Sequence, residues 1–164
     1  MKNREFIEKA KLALSSKTIY MKGVFGAPVT ESLIAEKAKQ YPGWYTAKKV
    51  ETLKGYAGKG YFAFDCVCLH KAILWGWNAM PKERHGGAAY KSNDVPDFTT
   101  ESEEKVYADD VSKDFDFVQP GEILFGDDHV GVYIGGGEAI ECTTSFGGGV
   151  VKTIVGNMSG AAGN

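Results

Sequence analysis

Residues 66–77 form a strongly apolar stretch with the sequence Cys-Val-Cys-Leu-His-Lys-Ala-Ile-Leu-Trp-Gly-Trp. Its length fits a helix, and its apolar residues are not confined to one side of that helix. A helix that is apolar nearly all round is stable only when other elements cover it. The sequence therefore predicts a central buried helix that begins at Cys66 and around which the remaining elements pack.

Helical patterns dominate the first half of the chain. Apolar spacing predicts three helices ahead of the central one: residues 3–15, 30–41 and 46–56. Asn3 and Thr30 are candidate N-caps for the first two, because their side chains can accept hydrogen bonds from the free N–H groups of a helix start. Further along, Thr100 and Glu103 have the spacing of a capping box, which predicts a short acidic helix ending near Asp110.

Beyond the turn signal Pro120-Gly121, the periodicity changes from helical to alternating. Four strands are predicted there: Ile123–Phe125, His129–Ile134, Glu138–Cys142 and Val150–Val155. Helices followed by antiparallel strands are typical of an α+β fold in which one sheet packs on the helices. We predict a single domain over residues 1–155, followed by a small, polar, linker-like tail at 156–164.

Composition excludes several classes of function. The chain has 164 residues and a net charge of -2, so it lacks the basic excess that drives general nucleic-acid binding. Its three cysteines do not suggest a disulfide framework. No segment has the apolar run that a membrane span needs, and the charged N-terminus has no secretory signal pattern. We therefore expect synthesis in the cytoplasm, and no nucleic acid or membrane as a partner.

The hairpin formed by the second and third strands brings a histidine and a carboxylate together. His129 and Gly131 share one face of their strand, because side chains alternate along a strand. A three-residue turn at glycines 135–137 would pair Gly131 with Glu141. Glu141 then becomes the diagonal neighbour of His129, and Gly131 leaves the space between them open. A one-residue change of register would separate the two side chains, so the predicted hydrogen bond depends on this turn.

A cysteine at the start of the central helix completes a set of nucleophile, base and orienting group. The free N–H groups and the partial positive charge of a helix start favour thiolate over thiol, which makes Cys66 a candidate nucleophile. His129 can take its proton and later give it to a leaving amine, while Glu141 holds one tautomer of the ring. The backbone N–H of Cys66 is a natural donor to the oxyanion. Such a mechanism requires no metal and no organic cofactor.

Ordered motifs over residues 3–155 resemble the NlpC-type cell-wall cysteine peptidases, which are papain-like hydrolases of bacterial peptidoglycan. After an N-terminal helix, the resemblance rests on four motifs: Thr18-x-Tyr20-x-x-Gly23, Phe64-Asp65-Cys66, Gln119-Pro120-Gly121-Glu122-Ile123-Leu124-Phe125 and His129-Val130-Gly131-Val132-Tyr133-Ile134-Gly135. They are similar to the family's tyrosine-and-glycine segment, aspartate–cysteine nucleophile motif, proline–glycine–acidic strand and histidine strand. The family's orienting position falls on Glu141.

The resemblance implies a papain-like α+β fold and cleavage of an amide bond in the stem peptide of peptidoglycan. It implies catalytic roles for Cys66, His129 and Glu141, a place for Tyr20 near the oxyanion position, and a part for Asp65 in holding the substrate, such as its free amine. It also implies the catalytic domain of a phage or prophage lysin that acts at the bacterial cell wall, with a wall-binding module beyond the C-terminal tail.

The chain departs from the family pattern in three places. Val67 and Cys68 stand where serine and glycine usually follow the nucleophile. The carboxylate of Glu141 resembles the orienting group of the related CHAP amidases rather than the more usual histidine, asparagine or glutamine. Residues 25–60 separate the tyrosine segment from the nucleophile, and we expect this insertion to be helical and to shape one wall of the cleft.

Other interpretations of these residues stay open. The same constellation fits a CHAP-like N-acetylmuramoyl-L-alanine amidase, an effector amidase or an acyltransferase, and a non-catalytic wall-binding or phage-structural module could keep the fold without turnover. Cys68 and Cys142 are interpreted as core residues, His70 as a helix-face residue, and His85 as solvent-exposed. Cys66, Cys68 and His70 together would also fit part of a zinc site.

Overall fold

Two β-sheets and several helices enclose the central helix. The structure, a computed structural model, describes residues 1–109, 111–112 and 115–157. The elements up to the central helix are α1 Asn3–Ser15, β1 Thr18–Tyr20, β2 Phe25–Pro28, α2 Glu31–Gln40, α3 Ala47–Lys54, β3 Phe62–Phe64 and the central helix itself, α4 Cys66–Leu74. The later elements are α5 Thr100–Ser102, a π-helical turn at Glu103–Tyr107, β4 Ile123–Gly126, β5 His129–Gly135, β6 Glu138–Thr143 and β7 Gly149–Ile154. The fold is α+β, as predicted, but it has two sheets where the sequence predicts one.

The central helix α4 is buried, as its composition predicts. Leu69, Ala72 and Ile73 have no exposed surface, and Trp77 just beyond the helix is equally buried. The same apolar cluster includes side chains from α1 and from the strands after residue 120: Phe6, Ala10, Ala13, Val132, Ile140 and Cys142. Because α4 packs on both layers, its first residue is held at a fixed place relative to the second sheet.

The second sheet has the strand order β4-β5-β6-β7 and is antiparallel throughout. All four predicted strands are present, and their ends differ from the predicted ones by at most one residue. Gly131 lies opposite Glu141, as predicted. The three-residue turn is wrong, because Gly135 belongs to β5 and pairs with Glu138 after an irregularity that follows Tyr133. Gly135 has φ +94, a conformation open to glycine, and the strand absorbs the extra residue there without changing the register at Gly131.

A three-stranded sheet that the sequence patterns do not predict lies next to the start of α4. Its order is β1-β3-β2, with β1 parallel and β2 antiparallel to β3. Strands of three or four residues are too short to show a clear alternation. β2 also corrects the expectation for residues 25–60, which are helical at α2 and α3 but extended at Phe25–Pro28. Since β3 ends at Phe64, this sheet determines where the central helix begins.

The predicted helix starts are right in position and partly wrong in their caps. Thr30 caps α2 as predicted, whereas Asn3 is the first residue of α1 and does not cap it. The capping box of the short helix α5 joins Thr99 and Ser102, one residue earlier than the predicted pair. The reason is that Glu103, the expected capping partner, is buried and takes part in a contact with the central helix.

The segment after β7 continues into a short 3₁₀ turn at Val155–Asn157. The predicted helix end near Asp110 and the greater part of the predicted tail, residues 158–164, lie outside the described residues. Among the helices in the described ranges, none is long and apolar enough to cross a membrane.

Candidate active site

Asp65 holds the start of the central helix in place. It is the N-cap of α4, and its Oδ1 accepts a hydrogen bond from the backbone N–H of Cys68 at 2.8 Å. Its other oxygen, Oδ2, accepts from the backbone N–H of Gly23 at 2.7 Å. The carboxylate therefore ties the first turn of α4 to the segment after β1. Both oxygens already accept backbone donors, so Asp65 positions Cys66, and the substrate contact implied by the resemblance stays a prediction.

Tyr20 and the backbone of Asp128 lie next to the Cys66 thiol. The Sγ atom lies 3.8 Å from the carbonyl oxygen of Asp128. The Tyr20 hydroxyl hydrogen bonds to Cys66, and burial, followed by the charge of the Cys66 thiolate, raises the pKa of this phenol well above its usual value. Tyr20 is therefore protonated at any ordinary pH and presents a hydrogen-bond donor beside Sγ, in keeping with the predicted place near the oxyanion.

His129 and Glu141 form the predicted hydrogen bond across Gly131. Nε2 of His129 lies 2.5 Å from Oε2 of Glu141, whose side chain is completely buried. Because Glu141 occupies Nε2, Nδ1 is the ring nitrogen left for Cys66. Burial alone would lower the pKa of His129, but hydrogen bonds and charges from Cys66 and Glu141 outweigh burial and raise this pKa to about 9. Near neutral pH the ring is an imidazolium, and a cationic neighbour favours the thiolate form of cysteine.

The three side chains open onto a polar cavity of about 280 Å³. Its lining residues come from β1, the start of α4, the β4–β5 turn and the end of β6: Tyr20, Cys66, Asp127, Asp128, His129, Thr143, Thr144 and Ser145. The β4–β5 turn has two residues, because Gly126 pairs directly with His129. Cys66 and His129 are each 8% exposed, so both side chains are mostly covered at the base of this cavity.

The insertion at residues 25–60 does not supply the lining of this cavity, contrary to the expected cleft wall. Its contribution is indirect, because the Trp44 ring packs against Tyr20 with a centroid distance of 5.8 Å. Aromatic packing of this kind fixes the orientation of the phenol. The insertion therefore helps to hold the Tyr20 ring in place.

The charge of the cavity mouth should control which reagents reach Cys66. Asp127 and Asp128 are exposed there, so a cationic thiol reagent should react faster than an anionic reagent of similar size. We expect the double change Asp127→Asn and Asp128→Asn to reduce that ratio about three- to tenfold. The measurement compares 2-aminoethyl and 2-sulfonatoethyl methanethiosulfonate, with the adduct mapped to Cys66 by mass spectrometry.

Asp94→Asn is the matched control for these substitutions. Asp94 is exposed like Asp128, has φ +58 where Asp128 has φ +51, and is not among the residues that line the cavity. A rate ratio that falls equally in this control, or stays constant in the double variant, would show that the two aspartates do not set the potential at the thiol.

Cys68 and Cys142 are core residues, as interpreted from the sequence. Burial raises the pKa of both thiols well above the usual value, and the charge of Asp65 adds to this effect. Sγ of Cys142 donates to the backbone carbonyl of Phe64 at 3.4 Å. A buried, protonated thiol is a poor nucleophile, so Cys66 stays the predicted nucleophile among the three cysteines.

His70 lies on α4 and is fully buried. Its Nδ1 lies 3.2 Å from Oε1 of Glu103, in the π-helical turn, and its ring meets the edge of Phe6 with a centroid distance of 5.7 Å. The pair connects the central helix to the segment that follows α5. Within the described part of the chain, no group of three histidine, cysteine or acidic side chains could hold a metal ion.

His85 differs from its predicted exposure. Its ring is half-buried and stacks on Phe25 with a centroid distance of 4.1 Å. The sequence signal was weak, because a histidine followed by two glycines in a polar loop is typical of an exposed turn. The long-range partner Phe25 could not be identified from local sequence.

Comparison with protein-family models finds no model that matches this chain, and comparison with curated proteins finds no match either. The geometry of Cys66, His129 and Glu141 is therefore what supports a functional proposal.

Proposed function

We propose that this chain is a papain-like cysteine hydrolase that cleaves an amide bond of bacterial peptidoglycan. One observation carries the proposal: a cysteine at a capped helix start faces a histidine whose second nitrogen is held by a buried carboxylate. This is the arrangement that thiol hydrolysis requires, because the nucleophile needs a base and the base needs an orienting group. The motif resemblance supports peptidoglycan as the substrate and the cell wall as the site of action.

The reaction would proceed in two steps. The Cys66 thiolate attacks the amide carbonyl, and the backbone N–H of Cys66 together with the Tyr20 hydroxyl donates to the oxyanion. The His129 imidazolium gives its proton to the leaving amine, which departs and leaves a thioester on Cys66. Neutral His129 then takes a proton from water, which attacks the thioester and releases the acid. Glu141 keeps Nδ1 directed at the reacting atoms throughout.

Tyr20→Phe should lower kcat about 10²-fold with little change in KM, because the hydroxyl acts mainly on the charge that develops in the transition state. The substitution keeps the ring and its packing on Trp44. Tyr45→Phe is a suitable control, because it also removes a partly buried hydrogen bond of a tyrosine hydroxyl. In Tyr45 this hydroxyl donates to the backbone carbonyl of Lys22. Equal losses in the two variants would show that the effect is structural.

Digestion of purified peptidoglycan tests the proposed function directly. Product masses and newly formed amine termini identify the bond that is cut. Wild-type protein and Cys68→Ala should release the same products, and Cys66→Ala should release none. Products that do not differ between wild type and Cys66→Ala would contradict the proposal.

A CHAP-like amidase is the second candidate, and the carboxylate at position 141 is the feature that favours it. The same digestion separates the two candidates. A new amine on L-alanine, with free lactyl carboxylate on the glycan, identifies an amidase. New termini within the stem peptide identify an endopeptidase.

A further inference from the structure

A second cavity, of about 270 Å³, lies between β2, α2 and the loop at residues 81–85. None of its lining residues lines the catalytic cavity. Its size is near the lower end of cavities that hold small molecules. Most of its lining comes from the insertion at residues 25–60 and the loop that packs against it. The insertion thus builds a cavity of its own.

The walls of this cavity are fixed by close packing around Trp77. The indole Nε1 donates to the backbone carbonyl of Gly26 at 3.0 Å. A Cβ atom at Gly26 or at Gly86 would lie 2.2 Å from the Trp77 ring, so both positions require glycine. β2 and the loop are therefore held against one rigid side chain, and the space between the loop and α2 is preformed.

The cavity combines an apolar wall with a basic rim. Val24 and Ala27 are almost fully buried and form part of the wall, next to Leu33 of α2. Lys37 lies on the α2 side and Arg84 on the loop side. The lining as a whole includes three basic and two acidic side chains. A ligand with an apolar body and a negative group would match both parts.

The pKa of His85 depends on the electrostatic potential at the loop side of the cavity. Burial lowers the pKa of His85, and the charges of Arg84 and Lys37 lower it further, against a smaller opposite effect of Glu36. Glu36 lies 3.8 Å from Arg84, and both side chains are largely exposed, so this ion pair is weak. Lys37 donates to Oε1 of Gln40 at 2.8 Å in an exposed hydrogen bond. An anion bound at the rim would therefore compete only with this surface hydrogen bond and with the weak ion pair of Arg84.

We propose that this cavity binds a small carboxylate with an apolar body, such as an acylated amino acid or a peptide end. Lys37 and Arg84 bind the carboxylate, and the wall of Val24, Ala27 and Leu33 covers the apolar part. The inference does not depend on the proposed hydrolase activity. Two sources could supply such a ligand: an acidic part of an extended substrate, or a separate effector. Gly23 lines this cavity, and its backbone N–H donates to Asp65 at the start of α4. A ligand from either source would therefore lie next to a residue that contacts the active site.

Titration of the chain with N-acetyl-leucine, followed by the NMR signals of the His85 ring, tests the proposal. N-acetyl-leucinamide removes the charge, and acetate removes the apolar body. We expect the carboxylate to shift the His85 signals saturably and to bind about fivefold or more tightly than either analogue. Lys37→Gln and Arg84→Gln should each weaken binding about fivefold. Lys39→Gln is the control, since Lys39 is exposed on the same helix and does not line the cavity.

Absence of saturable shifts, or equal binding of N-acetyl-leucine and its amide, would overturn the proposal. The binding measurement is repeated with Cys66→Ala, which lacks the proposed nucleophile. The result for this cavity can therefore be interpreted even if the hydrolase proposal fails. Kinetics then separate the two sources. Arg84→Gln raises KM for long peptidoglycan fragments only if the cavity is a substrate subsite. Added N-acetyl-leucine changes kcat in wild type, and not in Arg84→Gln, if the ligand is an effector.

Discussion

Replacing His129 with alanine is expected to reduce kcat about 10⁴-fold or more. The variant loses the base that activates Cys66, the cation that stabilises its thiolate and the acid that protonates the leaving amine. It also leaves the buried carboxylate of Glu141 without its 2.5 Å partner. The measurement is single-turnover cleavage of a peptidoglycan fragment, together with the rate at which iodoacetamide alkylates Cys66 at pH 6. Both rates should fall, since both depend on the thiolate.

The control for His129→Ala is Tyr133→Phe. Tyr133 lies on the same strand and the same face, and its hydroxyl accepts a surface hydrogen bond from the backbone N–H of Gly137 in the β5–β6 turn. Thermal unfolding of both variants separates a loss of fold from a loss of chemistry. If His129→Ala remained folded and kept a tenth of the wild-type kcat, the assignment of His129 as base would be wrong.

The hairpin that joins His129 and Glu141 could be predicted because its geometry is local. His129, Gly131 and Glu141 lie on two consecutive strands, and alternation within each strand fixes the face of every side chain. The turn was predicted with one residue too many, yet the pairing of Gly131 with Glu141 is the one expected. The irregularity between Tyr133 and Gly135 accommodates the difference, so the pairing of Gly131 with Glu141 is unchanged.

The position of Cys66 at a helix start could also be predicted, but only one of the two contacts that hold it has a local signal. Asp65 before an apolar helix has the residue type of an N-cap. Its second bond, to the N–H of Gly23, joins residues that are far apart in sequence. The short sheet β1-β3-β2 that brings them together has too few residues per strand to leave a periodic pattern.

Two long-range contacts of histidine rings show the same limit of local patterns. His70 finds Glu103, and His85 finds Phe25, across long stretches of chain. A histidine on a helix or in a loop carries no sequence signal for such a partner, because the choice is made by packing. The contact between His129 and Glu141 could be predicted because both residues belong to one hairpin.

Replacing Glu141 with glutamine is expected to lower kcat about ten- to hundredfold, and replacing it with leucine about 10³-fold or more. Glutamine can still accept the hydrogen bond from Nε2 of His129, so the ring keeps Nδ1 directed at Cys66. It removes the negative charge, however, which is one of the causes that raise the pKa of His129 to about 9. Leucine removes the acceptor as well and leaves a buried ring nitrogen without a partner.

The pH profile distinguishes this positioning role from a structural one. The leaving amine needs a proton from His129, so kcat/KM should fall as pH rises through the pKa of the ring, about 9 in the wild type. Glu141→Gln lowers that pKa, and its alkaline limb should therefore move to lower pH by about one unit. Glu138→Gln is the matched control on the same strand, where the partly exposed carboxylate pairs with Lys152 at 2.8 Å. Its profile should coincide with the wild type, because Glu138 lies at the far end of β6 from His129. An alkaline limb that stays near pH 9 in Glu141→Gln would mean that Cys66 alone sets the protonation of His129.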